Sequence, residues 1–300
     1  MNLRSLFHRS APPPQPIEVG IVGWGRELDD ALAESAATGK PVFALFQEVP
    51  GCAGCQQFGA DVLSNPAIVD AIEEAFVPFL VHNNQQGRDA EVLALYGEPA
   101  WNYQVVRFLD STGSDVIPRR DRVWEAGPLA ARMIETLERS DRPVPAYLRL
   151  LEQEHSDRLQ TVHLAQPCFW IGEAVLGQLD GVVTTEAAFL DGHEVTTVRF
   201  DPRVVDAPSL VRQAIDGDVA HRVYAEPSIR AELELAALTV TTANLADRRV
   251  APDRDQKRQL AGVRGLGGLS PAQLTKLNAL HRSDPDAARR HLPPRSRDIV

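Results

Sequence analysis

The stretch that decides the fold is Pro41-Val-Phe-Ala-Leu-Phe-Gln-Glu-Val-Pro-Gly-Cys-Ala-Gly-Cys55. Residues 41–47 form an almost unbroken apolar run of strand length, which suits a strand covered on both faces. Cys52 and Cys55 come next, at the expected start of a helix. A helix N-terminus presents unpaired N–H groups and a partial positive charge, and both stabilise a thiolate. Two intervening residues put the second sulfur one turn further on, close enough to close a small disulfide ring. The first cysteine then attacks and the second resolves the mixed disulfide. Two other readings of the pair stay open, a metal site and an inert pair of core thiols. Zinc takes four ligands, the next cysteine (Cys168) lies 113 positions beyond Cys55, and His82, His163 and His193 show no ligand-like spacing. No metal and no other cofactor is expected.

Outward from this stretch, strand and helix patterns alternate. Arg26 to Thr38 has helical composition and stops at Gly39. Pro66 to Phe76 follows Ser64 and Asn65, either a fair N-cap, and sets Ile68, Ile72 and Phe76 on one helical stripe. Val77 to Val81 reads as a strand, Arg88 to Tyr96 as a helix and Gln104 to Leu109 as a strand. A turn at residues 110–113, a short strand over 115–118 and a helix over Leu129 to Leu137 complete an α/β domain expected at residues 17–140. Residues 1–16, with Pro12, Pro13 and Pro14, read as a disordered arm.

Ser140 to Pro145 is a natural break, and residues 141–157 are expected to hold a linker helix. A second, smaller α+β domain is expected at 158–220, with strands at Leu159 to Leu164, Val182 to Phe189 and His193 to Phe200, and a helix at Pro208 to Ile215. Beyond about Gly217 the pattern weakens, and residues 221–300 are expected to be a helical extension. Within it Ser270-Pro-Ala-Gln273 is a capping box with Pro at the first helical position, which predicts a helix over Pro271 to His281.

Composition narrows the function. Of 300 residues 44% are hydrophobic, enough for a real core, and 41 acids against 31 bases give a net charge of −10. An acidic chain lacks the basic footprint of a nucleic-acid or anionic-membrane binder, so neither partner is expected. No apolar run approaches a membrane span, and the first sixteen residues hold no signal-like apolar segment, so a cytoplasmic location is expected. Three cysteines are too few for a disulfide scaffold, and scarce thiols at special spacings point to chemistry.

Two resemblances follow from these motifs. Residues 18–139, with Cys52-Ala-Gly-Cys55, resemble a thioredoxin-like domain of the group in which Val-Pro-Gly precedes the reactive residue, here Val49-Pro50-Gly51. The resemblance implies a cis-proline facing the dithiol at Pro99. The run Cys168-Phe-Trp-x-x-Glu173, with Gly181-Val182, Phe189, Gly192-His193-Glu194 and a strand closing at Asp201-Pro202, resembles the A-type peptide methionine sulfoxide reductases. That family's signature is Gly-Cys-Phe-Trp with a Glu five residues past the cysteine. It implies that Cys168 attacks the sulfoxide, that Glu173 in an apolar setting donates the proton, and that Phe169, Trp170 and Phe189 line the substrate. Pro167 stands where the family has Gly, and Phe189 where it has a Tyr that holds the sulfoxide oxygen.

Together these imply a thiol-dependent oxidoreductase. A sulfenic acid formed on Cys168 needs another thiol, and Cys52 and Cys55 are the other two in the sequence, so the dithiol is expected to act as internal reductant. The expected partners are an oxidised protein or methionine sulfoxide substrate and an external thiol reductant. The alternatives are a thiol–disulfide oxidoreductase whose second domain is a degenerate module, and a non-enzymatic redox-sensing or binding protein.

Overall fold

The computed structural model describes residues 15–100 and 104–299; most of the expected arm lies outside them. The chain divides into two compact units, residues 1–148 and 149–300. None of the described helices is long and apolar enough to cross a membrane.

In the first unit the decisive apolar run becomes strand β1 (Val42–Gln47), with all six residues buried. It is central because it is flanked on both sides. Strand β2 (Val77–His82) pairs with it in parallel, from Val42↔Val77 to Gln47↔His82. Strand β3 (Val105–Leu109) pairs with it antiparallel, from Val42↔Leu109 to Phe46↔Val105. Single bridges at Gly25↔Phe79 and Leu109↔Asp115 widen the sheet at each edge. The expected strand over 115–118 shrinks to that one bridge. Asp110 folds the chain back by accepting from the Thr112 and Ser114 amides, and Pro118 has no N–H to add to a ladder.

Helices α1 (Leu28–Thr38), α2 (Ala53–Asp61), α3 (Pro66–Ala75), α4 (Arg88–Tyr96) and α5 (Ala126–Arg139) complete the unit. Asn65, not Ser64, caps α3, its Oδ1 accepting from Ala67 N at 2.9 Å. Phe43 joins the layers, edge-on to Phe76 (6.0 Å) and to Phe108 (5.4 Å).

Helix α6 (Ala146–Glu154) carries the division between the units. The second unit is built on a wholly antiparallel five-stranded sheet, order β7-β4-β6-β5-β8, from β4 (Gln160–Ala165), β5 (Val182–Leu190), β6 (His193–Phe200), β7 (Arg222–Ala225) and β8 (Arg249–Val250). Asp191 and Gly192, both with positive φ, make the tight β5–β6 turn. Helices α7 (Phe169–Leu176) and α8 (Ala207–Asp216) belong to this unit, and Leu210, Val211 and Ala214 pack on Val162, Leu164, Val198 and Phe200.

The expected domain end near 220 is corrected here. Strand β7 pairs with β4, and β8 pairs with β5, so the segment beyond 220 supplies both sheet edges, with helix α9 (Pro227–Leu235) between them, rather than a purely helical appendage. The predicted helix near the end is present as α10 (Pro271–Leu280), complete with its Ser270–Gln273 capping box. It packs on α7, and the buried Lys276 ammonium donates to Gly177 O (2.9 Å) and Leu179 O (3.1 Å), satisfying carbonyls at the end of α7. Short β7 and β8 carry too few residues for a period-2 pattern to stand out, which is why composition alone left them unread.

Candidate active site

The lead-in to the dithiol is fixed by polar contacts from three directions. After β1 the chain passes Glu48, a cis Val49–Pro50 bond and Gly51 before Cys52 caps α2. Asn84, on the loop after β2, accepts from Val49 N (3.2 Å) and donates to Pro50 O (3.0 Å). Buried Glu18 accepts from Gly51 N at 2.9 Å. Buried Gln47 donates to Glu18 O (2.8 Å) and Cys55 O (3.1 Å), tying the strand end to the helix. Two glycines make room. A Cβ on Gly51 would lie 2.5 Å from Glu48 O and 2.7 Å from Cys55 Cβ, and one on Gly59 would lie 1.9 Å from Ile17 O. Neither position has room for a side chain.

Within this frame the two thiols are unlike. Cys52 is exposed and Cys55 fully buried, with their sulfurs 3.6 Å apart. The Cys55 backbone N–H holds the Cys52 thiol below the ordinary range. Burial works against that, the Cys55 thiol and Gly54 N–H add to it, and the Glu48 charge opposes it. Burial pushes Cys55 up to about 12, helped by the neighbouring Cys52. Gln104, at the foot of β3, places Oε1 3.8 Å from the Cys55 sulfur. The Glu18 carboxyl sits below its usual value: burial would raise it, but the Gly51 and Glu18 N–H groups and Gln56 outweigh that.

A pH profile follows with a definite sign. Thiolate is the nucleophile, so alkylation of Cys52 rises with pH through its pKa and then levels. In a Cys168→Ala background the inflection is expected below the ordinary thiol value of about 8.5, with Cys55 unlabelled near neutrality. An inflection at or above that value, followed by peptide mass spectrometry, counts against Cys52 as the activated thiol.

Pro99 departs from expectation. The cis bond among the described residues precedes Pro50, not Pro99, and the residue bridging from this side to Cys55 is Gln104. Residues 101–103, next to Pro99, lie outside the described set.

The second unit places Cys168, Phe169 and Trp170 at the start of α7 and brings Phe189 of β5 against them. Cys168 is the half-buried N-cap residue of α7. Phe169 stands edge-on to Trp170 (6.1 Å) and Phe189 (5.5 Å), so the three predicted aromatics do meet. The cluster is covered by the chain's own later residues: Ala251 packs into it, and the Arg258 guanidinium lies 5.2 Å over the Trp170 ring.

Glu173 is fully buried, but its setting is not apolar. The Lys257 ammonium donates to Oε1, Lys257 N donates to Oε2 at 2.8 Å, and Thr185 Oγ1 donates to Oε1 at 3.3 Å. Its carboxylate is therefore committed to an ion pair, which corrects the expected apolar proton donor. The carboxylate beside Cys168 is instead Glu194, whose Oε2 accepts from Phe169 N at 3.0 Å. Its sequence signal was present in Gly192-His193-Glu194. Lys257 and Arg258 had none, standing 84 and 88 positions beyond the residues they meet, Glu173 and Trp170.

A central strand running into a helix-capping dithiol, beside one parallel and one antiparallel neighbour, defines a thiol-dependent oxidoreductase fold. Residues 23–111 match the model of a protein family described as thioredoxin-like, and this part of the chain is a thioredoxin-like domain. No curated protein matches the chain. Among solved structures it is similar to methionine sulfoxide reductase A of Corynebacterium diphtheriae, at 20% identity over 41% of this chain and 87% of that one, with a TM-score of 0.30. It is also similar to a DsbH oxidoreductase, at 18% identity over 44% and 93%, with a TM-score of 0.34.

Proposed function

We propose that the protein reduces disulfides in oxidised protein substrates, with Cys52 as nucleophile and Cys55 as resolving thiol. The observation that carries this reading is the pair's asymmetry: an exposed, acidified Cys52 sulfur 3.6 Å from the sulfur of a fully buried Cys55. Cys52 thiolate attacks one substrate sulfur and the other leaves as thiolate. Cys55 then attacks Cys52, releasing the second substrate thiol and leaving a Cys52–Cys55 disulfide. An external thiol reductant returns the two electrons. The test is stoichiometry: pre-reduced protein, freed of reductant, is expected to reduce about one protein disulfide per chain through its single dithiol. No reduction at all would point to a redox sensor or binding protein.

A second activity, reduction of methionine sulfoxide at Cys168, is favoured by one arrangement. Cys168 and the Glu194 carboxyl share the start of α7, next to the Phe169, Trp170 and Phe189 cluster. In this reading Glu194, not Glu173, carries the proton to the sulfoxide oxygen. Cys168 thiolate attacks sulfur, oxygen passes to Cys168 as a sulfenic acid, and methionine leaves. Cys52 displaces that oxygen as water, Cys55 resolves, and the dithiol supplies the two electrons. A methionine sulfoxide peptide with dithiothreitol is expected to turn over with wild type and not with Cys168→Ala. In Cys55→Ser, substrate is expected to trap a Cys52–Cys168 crosslink visible by peptide mass spectrometry. No wild-type turnover would leave the first activity standing and make the second unit a non-catalytic module.

A further inference from the structure

Disulfide chemistry at the dithiol leaves Glu48 without a use. Its carboxylate has no hydrogen-bond or ion-pair partner among the described residues. Yet it lies, with the Cys52 and Cys55 sulfurs, in a group whose three ligand atoms are all within 4.8 Å of one another. A carboxylate beside a thiolate nucleophile works against it, whereas the same carboxylate beside a thiolate-bound dication is stabilising.

We propose that the reduced Cys52–Cys55 pair and Glu48 form a three-ligand site for a zinc-class cation, and that an occupied site and disulfide chemistry exclude one another. The second half of this statement rests on the dithiol being redox-active; the first half does not.

The geometry is close to what such an ion requires. Zinc–sulfur bonds of about 2.3 Å and zinc–oxygen bonds of about 2.0 Å in a tetrahedron set S···S near 3.8 Å and S···O near 3.5 Å. The two sulfurs already stand 3.6 Å apart. From a separation of at most 4.8 Å the carboxylate has to close by about 1.3 Å at most to reach that edge, a side-chain movement open to a half-buried residue just past the end of β1. The backbone between the ligands is fixed: Glu48 O and Cys55 Cβ crowd Gly51, and Glu18 and Asn84 hold the lead-in. Three protein ligands leave a fourth position for water or a partner's donor, as in open zinc sites. Two thiolates select zinc, cadmium or copper(I) over magnesium and calcium, which take oxygen ligands.

The exclusion follows from the electrons. On coordination each sulfur gives a lone pair to the cation and its proton passes to solvent, with no change in oxidation state. A sulfur so engaged does not attack a disulfide. Conversely, formation of the Cys52–Cys55 bond removes two of the three ligands and expels the ion.

The experiment uses full-length protein, reduced and kept free of oxygen, titrated with zinc against a chromophoric chelator. Wild type and Cys168→Ser are expected to take up one equivalent, the oxidised protein none, and Cys52→Ser and Cys55→Ser none. Bound zinc is expected to slow alkylation of Cys52 at least about tenfold, since the thiolate is the reacting species. Glu48→Gln, close in shape and checked for fold by circular dichroism, is expected to weaken zinc binding about tenfold or more through loss of a ligand. Failure of the reduced protein to take up zinc would overturn the proposal. So would uptake that survives Cys52→Ser, or an affinity unchanged by Glu48→Gln. A protein that binds zinc but reduces no disulfide would keep the site and sink the redox reading; one that reduces disulfides and ignores zinc would do the reverse.

Discussion

Replacing Cys52 by serine is expected to lower disulfide reduction by roughly a thousandfold or more, because it removes the one thiol of the pair that is both exposed and acidified. Cys55 cannot take over. It is fully buried, and with its thiol pushed up to about 12 it holds roughly one part in 10⁵ as thiolate at pH 7. Cys55→Ser is expected to fail differently. Attack by Cys52 still occurs, but without a resolving thiol the reaction stops at a stable mixed disulfide after a single event. The measurement is a turnover assay on a protein disulfide, paired with intact-mass detection of the adduct. If Cys52→Ser kept more than a few per cent of turnover, or if the adduct formed on Cys55, the assignment of attacker and resolver would be reversed.

Lys257→Met is expected to destabilise the second unit by about 3–5 kcal/mol, since it strands the Glu173 carboxylate without its cation inside the protein. Lys257 adopts a left-handed backbone conformation (φ 47°) that an ordinary side chain avoids. It keeps that conformation because its own N–H and its ammonium converge on the one carboxylate. Removing both partners together, as Glu173→Leu with Lys257→Met, is expected to recover most of the loss, because no charge is then left buried and unpaired. Denaturant unfolding of the four proteins in the cycle reads the coupling, and Cys52 alkylation in each reports whether the first unit stays intact. A cost below about 1 kcal/mol for Lys257→Met would mean that the pair is open to water rather than buried.

The two predictions differ in how far the sequence foretold them. The dithiol is a local device, with strand, turn and helix start all contained in residues 41–55, so spacing and composition were enough to place the two thiols at the start of a helix after a buried strand. The helix stripes of α3 and the capping box of α10 were legible for the same reason. The neighbours that tune the site were not. Glu18 stands 34 residues before Cys52 and Gln104 49 residues after Cys55, and each reaches the dithiol only through tertiary packing, Glu18 from a 3-10 turn (Ile17–Val19) laid on α2 and Gln104 from the foot of β3 beside β1. Nothing in the local pattern of either marks it.

The second unit shows the limit more sharply. The motif placed Cys168, Phe169, Trp170 and Phe189 correctly in one neighbourhood, since one helix start and one facing strand carry them. It assigned Glu173 the wrong surroundings, because the surroundings come from Lys257, 84 residues on. By itself the sequence determined the kinds of element, the central strand and the sulfur chemistry, all of which depend on residues a few positions apart. Only the tertiary structure decided which carboxylate faces which thiol, which one is locked to a lysine, and that the short strands β7 and β8 complete a sheet. Those outcomes depend on which distant segments share a face, and burial then sets the charge and reach of every group found there.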